Sequence, residues 1–239
     1  MLAVNRLSAV ILGISLIVGL SALGTILGDA AIRFKEYERT VTVKGLSERE
    51  YPADIVIWPI QFSVASNNLE TMYKLIDDNT QMIKAFLLKA GVEASEISHT
   101  SPLLTDKSAQ QYGGQENAEF RYTAIQTVTV YSKKIDVVRE VMGNLSELGK
   151  QGIVLTGDSY QSQTEYIFDR LNEVKPAMVE EATQEARDVA QKFATDSKSS
   201  LGKIQSASQG QFSISDRDKN NPHIKKVRVV STVTYYLSD

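Results

Sequence analysis

The sequence predicts an α+β fold with antiparallel sheets and about three packed helices, preceded by one N-terminal transmembrane helix. In several long segments of the globular part, apolar residues alternate with polar ones, as they do in half-buried strands. In other segments they recur every three or four residues, as they do on the buried face of a helix. At the N-terminus, residues 7–28 form an uncharged apolar run, and about 20 such residues span the core of a bilayer.

The apolar run divides the chain into a membrane anchor at residues 1–28, a juxtamembrane connector at 29–39 and an exported domain at 40–239. A cleaved signal peptide is the alternative, but its apolar region is usually about 7–15 residues long and ends at a site of small residues. Here the run is longer, and Asp29 occupies the middle of the nearest small-residue junction. We therefore expect an uncleaved signal anchor that contacts membrane lipid through residues 7–28.

The charges that flank the run do not decide its orientation. One flank carries Arg6, and the other carries Arg33, Lys35 and Arg39 among acidic residues, so the positive-inside rule is nearly ambivalent. A very short N-terminus followed by one long domain resembles the common bacterial signal anchor. We therefore expect a single-pass protein of the bacterial inner membrane, with residues 1–6 in the cytoplasm and the domain in the periplasm.

Small residues recur at helical spacing within the predicted membrane helix. Gly24 and Gly28 form a GxxxG motif, and Ser15 and Gly19 form a second pair of small residues four apart. Such pairs let helix backbones approach closely in lipid, although Gly and Ser are common in membrane helices in any case. The motif predicts helix packing at these four residues and contributes to an expectation of self-association.

The domain opens with two predicted strands, at residues 40–44 and at alternating apolar positions between 56 and 64. The stretch from Gly45 to Asp54 predicts the turn of a hairpin between them, because it contains glycine and proline. Pro59 indicates an edge position or a bulge in the second strand, since proline cannot donate to a ladder.

A helical period follows at residues 69–90 and ends at Gly91, which favours a helix stop. The predicted apolar face of this helix comprises Met72, Ile76, Ile83, Phe86, Leu87 and Ala90. Beyond it the sequence predicts a short segment around Ile97 and Leu103, a polar loop at 107–119, a long strand at 120–130, a helix at 135–148 and a third extended strand at 153–168.

The last predicted helix has Asn172 placed to cap it and Pro176 in its first turn. Its predicted buried face comprises Val179, Ala182, Ala186, Val189, Ala190 and Phe193, whose alanines allow close packing on a sheet. A hairpin with strands at 204–214 and 227–237 ends the chain. The complete order, β-β-α-β-β-α-β-α-β-β, favours helices packed on antiparallel sheets.

The residues that usually carry chemistry form no recognisable site. The chain lacks cysteine, and His99 and His223 lie far apart, whereas a zinc site usually needs three or four ligands. Residues 216–227 lack the glycine and the glutamate of a calcium loop, so a hairpin turn explains them better. Residues 143–150 have the wrong spacing for a phosphate loop and belong to the end of a helix, and Ser159 is not part of a G-x-S-x-G motif.

Other candidates also have structural explanations. Trp58 and the tyrosines could line a groove, but alternating strand positions favour core packing. The Glu180-Glu181 pair lies on a predicted helix and indicates a solvated flank. The net charge of −3, with both signs scattered, argues against nucleic acid. We expect no catalytic, cofactor-binding or metal-binding residue, no nucleotide and no enzymatic activity.

Several segments together resemble the SIMPL-domain family. They are VTVKGLSEREYPADIVIWPIQFSV, EISHTSPLL, EEATQEARDVAQKFATDSKSSLGKI, SASQGQFSI and KKVRVVSTVTYYL, and they extend over roughly residues 40–237. Two positions depart from the family pattern, because Ser47 stands where members often have a second glycine and the usual Pro-Asp pair is split as Pro52-Ala53-Asp54. These motifs indicate the fold, with a slightly altered first hairpin.

The resemblance implies a bacterial envelope protein, secreted or associated with the membrane, that is loosely linked to oxidative-stress defence. It implies no established enzymatic activity or cofactor, and some relatives are thought to build large hollow homo-oligomers. The leading hypothesis is therefore a membrane-anchored scaffold that forms a closed homo-oligomer of more than two subunits. The alternatives are an envelope module that binds a cell-wall component or a peptide, for which Tyr112, Gly113 and Gly114 would form the mobile loop, and a hydrolase of unrecognised type.

Overall fold

The computed structural model describes residues 6–36, 39–109, 119–157 and 163–238, and it confirms the predicted α+β class with antiparallel sheets. The helices are α1 (Arg6–Glu36), α2 (Leu69–Lys89), α3 (Ile135–Gly143), α4 (Ser146–Lys150) and α5 (Leu171–Asp196). The strands are β1 (Thr40–Pro52), β2 (Ile55–Ser66), β3 (Ile97–His99), β4 (Leu103–Asp106), β5 (Tyr122–Ser132), β6 (Val154–Leu155), β7 (Glu165–Ile167), β8 (Ser200–Gln209), β9 (Ser213–Asp216) and β10 (Ile224–Ser238).

The chain divides into two compact units. The first unit comprises Met1–Glu48, Val174–Ser213 and Arg228–Asp239, and the second comprises Arg49–Glu173 and Ile214–Val227. The long strands β1 and β10 and the helix α5 each contribute residues to both units.

Helix α1 contains the predicted membrane segment. Its stretch Ala9–Ile32 has a mean hydropathy of 2.4, and the side chains of this stretch are exposed. At about 1.5 Å per residue such a stretch exceeds the roughly 30 Å core of a bilayer. A retained anchor and a signal sequence both satisfy this criterion. The helix also continues to Glu36, so most of the predicted connector is helical.

The second unit is built on a sheet in which β2 and β5 pair antiparallel over their length. The strand order is β3-β5-β2-β6, with β4 on β5 and β7 on β2. The even-numbered residues of β2 and β5 enter the core with α2, α3 and α4, and the largest buried members of this core include Trp58, Phe62, Ile83, Leu87 and Leu148. Trp58 is 5% exposed, so its predicted core position is confirmed.

Two elements of the second unit differ from the sequence prediction. The predicted strand at 153–168 is instead the two short strands β6 and β7, which pair with separate stretches of β2. Pro59 lies between those stretches, where β2 has no partner on the side of β6 and β7. Proline has no N–H to donate, so it is accommodated at this position. The predicted helix at 135–148 is divided into α3 and α4 after Gly143, because Gly and Asn are weak helix formers.

The first unit contains the sheet β1-β10-β8, on which α5 packs. The buried residues of α5 follow a strict four-residue step: Met178, Ala182, Ala186, Ala190 and Ala194. Phe193 is 55% exposed, so its predicted place in the core is wrong. A contact stripe of alanines is narrow, and large side chains one position away from it lie outside the contact.

Gly45 was expected to form a turn, and the structure corrects this. A Cβ atom at Gly45 would lie 1.9 Å from the Ala182 carbonyl oxygen and 2.5 Å from the Ala186 nitrogen. Glycine is therefore required by the close approach of β1 to α5 and not by a turn. Strand β1 continues to Pro52, and it belongs to a different sheet from β2, so the predicted hairpin between them is wrong.

The start of α5 also differs from the prediction. The helix begins at Leu171, so Asn172 is not its cap and Pro176 lies beyond its first turn. The Asp54 carboxylate instead accepts hydrogen bonds from the backbone N–H groups of Asp169 (2.8 Å) and Arg170 (3.3 Å) and from the Arg170 Nε (2.6 Å). A carboxylate more than 100 residues away in sequence thus holds the residues that precede α5. The sequence around the start of α5 does not reveal this interaction.

The C-terminal hairpin is present, with a change in its first strand. The predicted strand at 204–214 is divided into β8 and β9, which both pair with β10. In the turn before β10, Asp218 accepts hydrogen bonds from the Asn220 and Asn221 N–H groups, each at 2.9 Å. Hydrogen bonds from the Arg217 guanidinium and the Asn221 side chain, together with these backbone bonds, lower the pKa of Asp218 to about 2. Asp218, Asn220 and Asn221 therefore stabilise the turn before β10.

Candidate functional site

On the outer face of the sheet in the second unit, Glu165 of β7 is charged and lies opposite Ile57. The part of this face that β2 and β5 form carries no charged side chain. It consists of the odd-numbered residues of β2 and β5, which we call the uncharged face: Ile57, Pro59, Gln61, Ser63, Ala65, Thr123, Ile125, Thr127, Thr129 and Tyr131. Side chains alternate between the two faces of a sheet, so these residues point away from the core. In a chain with 23% charged residues, two neighbouring strands that each present five uncharged side chains on an outer face are unusual.

An apolar row crosses this face over four strands. Leu103 on β4 pairs with Ile125, Ile125 pairs with Ser63, and Ser63 pairs with Val154 on β6. The exposed fractions are 70% for Leu103, 38% for Ile125 and 60% for Val154. The row lies in an open groove of about 610 Å³ that also includes Leu75 and Asn79 of α2, and none of the lining side chains is charged. The structure thus leaves three aliphatic side chains accessible in one row, with Ser63 between Ile125 and Val154.

Two charged residues, Asp106 three positions along β4 from Leu103 and Arg121 just before β5, are paired with each other. Arg121 Nη2 lies 2.9 Å from Asp106 Oδ2, and Arg121 Nε lies 3.1 Å from Asp106 Oδ1. This fork of hydrogen bonds, helped by the Ser108 hydroxyl, lowers the pKa of Asp106 well below its usual range. The guanidinium also lies 4.8 Å from the centre of the Tyr122 ring. A partner that approaches the apolar row therefore meets a neutralised pair.

The sheet of the first unit has an unusual edge at β8. All side chains from Lys203 to Gln209 are exposed, although those of a strand point to both faces. Lys203 is the only charged residue between Ser199 and Ser215. On the face of the sheet that α5 covers elsewhere, β8 presents Ile204, which is 44% exposed and borders a groove with Thr183 and Arg187 of the helix.

The opposite edge of that sheet, β1, has a different composition. Its C-terminal half carries Glu48, Arg49 and Glu50 and ends at Pro52, and such residues protect an edge from pairing with another chain. Its first residues, Thr40 to Val43, are uncharged. Strand β1 runs antiparallel to β10, because Leu237 N–H donates to the Arg39 carbonyl and Thr42 Oγ1 lies 3.0 Å from Thr234 Oγ1.

The predicted histidines do not come together with other ligands. His99 ends β3, and His223 lies before β10 with its ring 6.0 Å from that of Tyr166. Burial and the nearby Arg139 and Arg217 lower the pKa of His223. Within the described residues, no group of three or more His, Cys, Asp or Glu side chains could hold a metal ion. Ser159 lies outside the described residues.

The Glu180-Glu181 pair corrects the expectation of a solvated flank. Ser47 is 1% exposed, and its hydroxyl donates to Glu181 Oε2 at 2.7 Å. Glu181 therefore serves as the partner of a buried hydroxyl, whereas Glu180 is exposed. Ser47, one of the two noted departures from the family pattern, is thus accommodated by this hydrogen bond.

The four small residues of α1 contact nothing that would explain them within the described chain. No atom lies within 4 Å of a Cβ built at Gly19, Gly24 or Gly28. The Ser15 hydroxyl donates to the Leu12 carbonyl one turn earlier at 3.0 Å. Their role in helix packing in the membrane stays a prediction.

The uncharged face and the β8 edge were not among the sites expected from the sequence. In β2 and β5, the residues between the buried positions carry the signal of the uncharged face, because none of them is charged. For β8, the low charge of residues 199–215 was visible in the sequence, but its position at a sheet edge was not. The predicted mobile loop at Tyr112, Gly113 and Gly114 lies outside the described residues.

The globular part of the chain matches a known protein family. The family model of SIMPL, described as a protein of unknown function (DUF541), matches residues 41–235. No curated protein matches the chain. The matched region includes both surfaces described above.

Proposed function

This chain belongs to the SIMPL family of proteins of unknown function, and from that premise we propose that it is a membrane-anchored scaffold of the cell envelope. In this proposal several copies assemble into a closed homo-oligomer, with the domain in the periplasm and α1 as the anchor. The role is structural, needs no cofactor, nucleotide or nucleic acid, and serves envelope or oxidative-stress defence. The observation that carries the proposal is the uncharged face with its apolar row.

A second copy of this chain suits the uncharged face on electrostatic grounds. Each copy has a net charge of −3, so copies repel one another weakly over most of their surface. A contact centred on the apolar row, which lies six residues along β2 from Ile57 and Glu165, keeps charged side chains at its margin and limits this repulsion. The nearby Asp106–Arg121 pair adds no net charge. Burial of Leu103, Ile125 and Val154 then supplies about 25 cal/mol for each Å² removed from water.

Anchoring strengthens a weak contact. A helix that spans the membrane confines all copies to one surface, and this raises their effective concentration relative to free diffusion. Modest patches can then hold an assembly that would dissociate in dilute solution. Self-association through Ser15, Gly19, Gly24 and Gly28 would add to the same effect.

The mass of the detergent-extracted full chain tests the proposal. We expect several subunits for the wild type and a lower mass for the double variant Leu103→Asp with Val154→Asp, because two carboxylates would enter the contact. Leu88→Asp is the matched control, since Leu88 is also exposed, at 48%, but lies on α2 away from the sheet face. A wild type that stays monomeric at micromolar concentration contradicts the proposal.

The location has its own test. With the domain in the periplasm, protease added to spheroplasts should degrade it. Protection until the cells are lysed would show the opposite orientation.

The groove around the apolar row also favours a second candidate function, an envelope module that binds a cell-wall component or a peptide. Its volume of about 610 Å³ lies within the range of small-molecule sites. Binding of peptidoglycan fragments or extended peptides to a monomeric wild type, abolished by Leu103→Asp, would favour this function over the scaffold.

A further inference from the structure

The two edges of the sheet in the first unit differ in a way that indicates how copies join. We infer that the β8 edge of one copy pairs in parallel with the first residues of β1 in the next copy, so that the sheet β1-β10-β8 continues from subunit to subunit. This inference rests on the proposed homo-oligomer and identifies one of its contacts. A ring built in this way leaves neither edge unpaired.

The backbone groups of both edges are available for this pairing. Gly210 N–H donates to the Val230 carbonyl at 2.8 Å, and Ser208 lies opposite Thr232, so the alternation of an antiparallel ladder directs the Ala207 N–H away from β10. Leu237 N–H donates to the Arg39 carbonyl, so Arg39 faces β10 with its backbone groups. By the same alternation, the N–H groups of Thr40 and Thr42 point away from β10. Each edge thus presents unpaired donors and acceptors to a neighbour.

The uncharged parts of the two edges lie at the same level of the sheet. Thr234 is opposite Ser206 on one side and contacts Thr42 on the other. A neighbouring copy related by rotation about an axis along the strands would place Thr40 to Val43 beside β8. The charged half of β1 lies beyond the stretch of β10 that pairs with β8, so in a continued sheet it would face β9 and not β8.

The direction of the strands suits a ring in one membrane. Strands β1 and β8 both run antiparallel to β10, so they run parallel to each other. When anchors lie in one membrane, the symmetry axis is perpendicular to it, and a rotation about that axis preserves the direction of strands that run along it. Parallel pairing of β8 with the next β1 meets this condition for any number of subunits, whereas pairing of β8 with a second β8 ends at a dimer.

The same arrangement explains why β8 is uncovered. Helix α5 lies against β1, as the approach of Gly45 to Ala182 shows, and leaves Ile204 and Ala207 of β8 exposed. In a continued sheet, the next copy's β1 brings its own α5 alongside β8. The exposed Ile204 would then lie between two helices and lose its contact with water.

The test measures the mass of the full chain in detergent for three proline variants. Ala207→Pro and Thr42→Pro each remove one outward N–H from the proposed contact and leave the backbone hydrogen bonds to β10 in place. Thr42→Pro also removes the hydroxyl contact with Thr234. Each of these two variants is expected to lower the mass at least twofold. Glu50→Pro is the matched control, because it also removes an outward N–H from β1, but in the charged half, and it should leave the mass unchanged. Ala207→Lys, which protects the edge by charge, replaces Ala207→Pro if that variant does not fold.

Disulfide formation checks the direction of the contact, since the chain has no cysteine. Within one subunit, Thr42 and Ser206 are separated by β10, about 9.5 Å apart, which is too far for a disulfide. The double variant Thr42→Cys with Ser206→Cys should give a ladder of linked subunits on oxidation.

Some outcomes overturn this inference but leave the proposed function standing. An oligomeric wild type whose mass is unchanged by Ala207→Pro and Thr42→Pro refutes the β8 contact alone. Sensitivity to Ala207→Pro without sensitivity to Thr42→Pro, or dimers formed by Ser206→Cys alone, would show pairing of β8 with itself. A monomeric wild type refutes the proposed function itself.

Discussion

The two units bury their cores in opposite ways. The second unit fills the space between its sheet and its helices with large side chains such as Phe62 and Leu148, which are fully buried. In the first unit, α5 lies so close to β1 that only alanines and Gly45 fit between them. A core of large residues is sensitive to the removal of atoms, because removal leaves a cavity, whereas a core of small residues is sensitive to their addition.

The largest expected effect is that of one methyl group in the first unit. Gly45→Ala should lower the free energy of unfolding by more than about 4 kcal/mol, because the new Cβ would meet the backbone of α5 and the helix would have to move away. The measurement is thermal or denaturant unfolding of the full chain in detergent. Gly149→Ala is the control, since no atom lies within 4 Å of a Cβ there, and it should be neutral or slightly stabilising.

The second unit should be sensitive to the removal of a large side chain. Phe62→Ala should cost about 3–5 kcal/mol, because Phe62 is fully buried and its ring would leave a cavity. Phe193→Ala should cost much less, since that ring is 55% exposed. Equal costs for the two phenylalanines would contradict the assignment of Phe62 to the core.

A third variant sharpens the comparison within α5. Ala186→Leu should cost about 1–3 kcal/mol by overpacking the narrow contact with the sheet. Arg187→Leu, one position away on the exposed side, should change stability by less than about 0.5 kcal/mol. A stabilising Ala186→Leu would mean that the contact has spare volume.

The smallest effect is a dependence on pH in the second unit. His223 has a lowered pKa in the folded state, so the folded chain binds fewer protons than the unfolded chain near the ordinary value of 6.5. Its contribution to stability is complete above that value and is lost as the pH falls through the lowered folded pKa. Between pH 7.5 and 5.5, unfolding temperatures should therefore fall less for His223→Gln than for the wild type. Parallel profiles for the two proteins would show that His223 is not linked to folding.

Much of the fold was accessible to sequence analysis. The predictions of β2 and β5 from their alternation and of α2 from its helical period were correct. A strand or helix with one buried face has apolar residues at a regular spacing in its own sequence. Gly91, predicted as a helix stop, adopts φ +96° at the end of α2. The break between α3 and α4 follows from the local residues Gly143 and Asn144. The separation of β6 from β7 was not predicted, because it depends on pairing with β2, which is distant in sequence.

The candidate surfaces were harder to predict. Sequence analysis found the buried positions of the sheet in the second unit, and their intervening residues formed the uncharged face that it did not consider. That Leu103, Ile125, Ser63 and Val154 align across four strands depends on strand register, which local patterns do not specify. The β8 edge likewise follows from strand order.

The sequence by itself determined the apolar N-terminal helix, the α+β class and the family, since these depend on composition, periodicity and local motifs. Tertiary structure decided what Gly45, Asp54 and Ser47 do. Gly45 admits α5 against β1, Asp54 holds the residues before α5, and Ser47 donates to Glu181. Each of these roles is a contact between segments more than 100 residues apart, and such contacts exist only after the chain has folded.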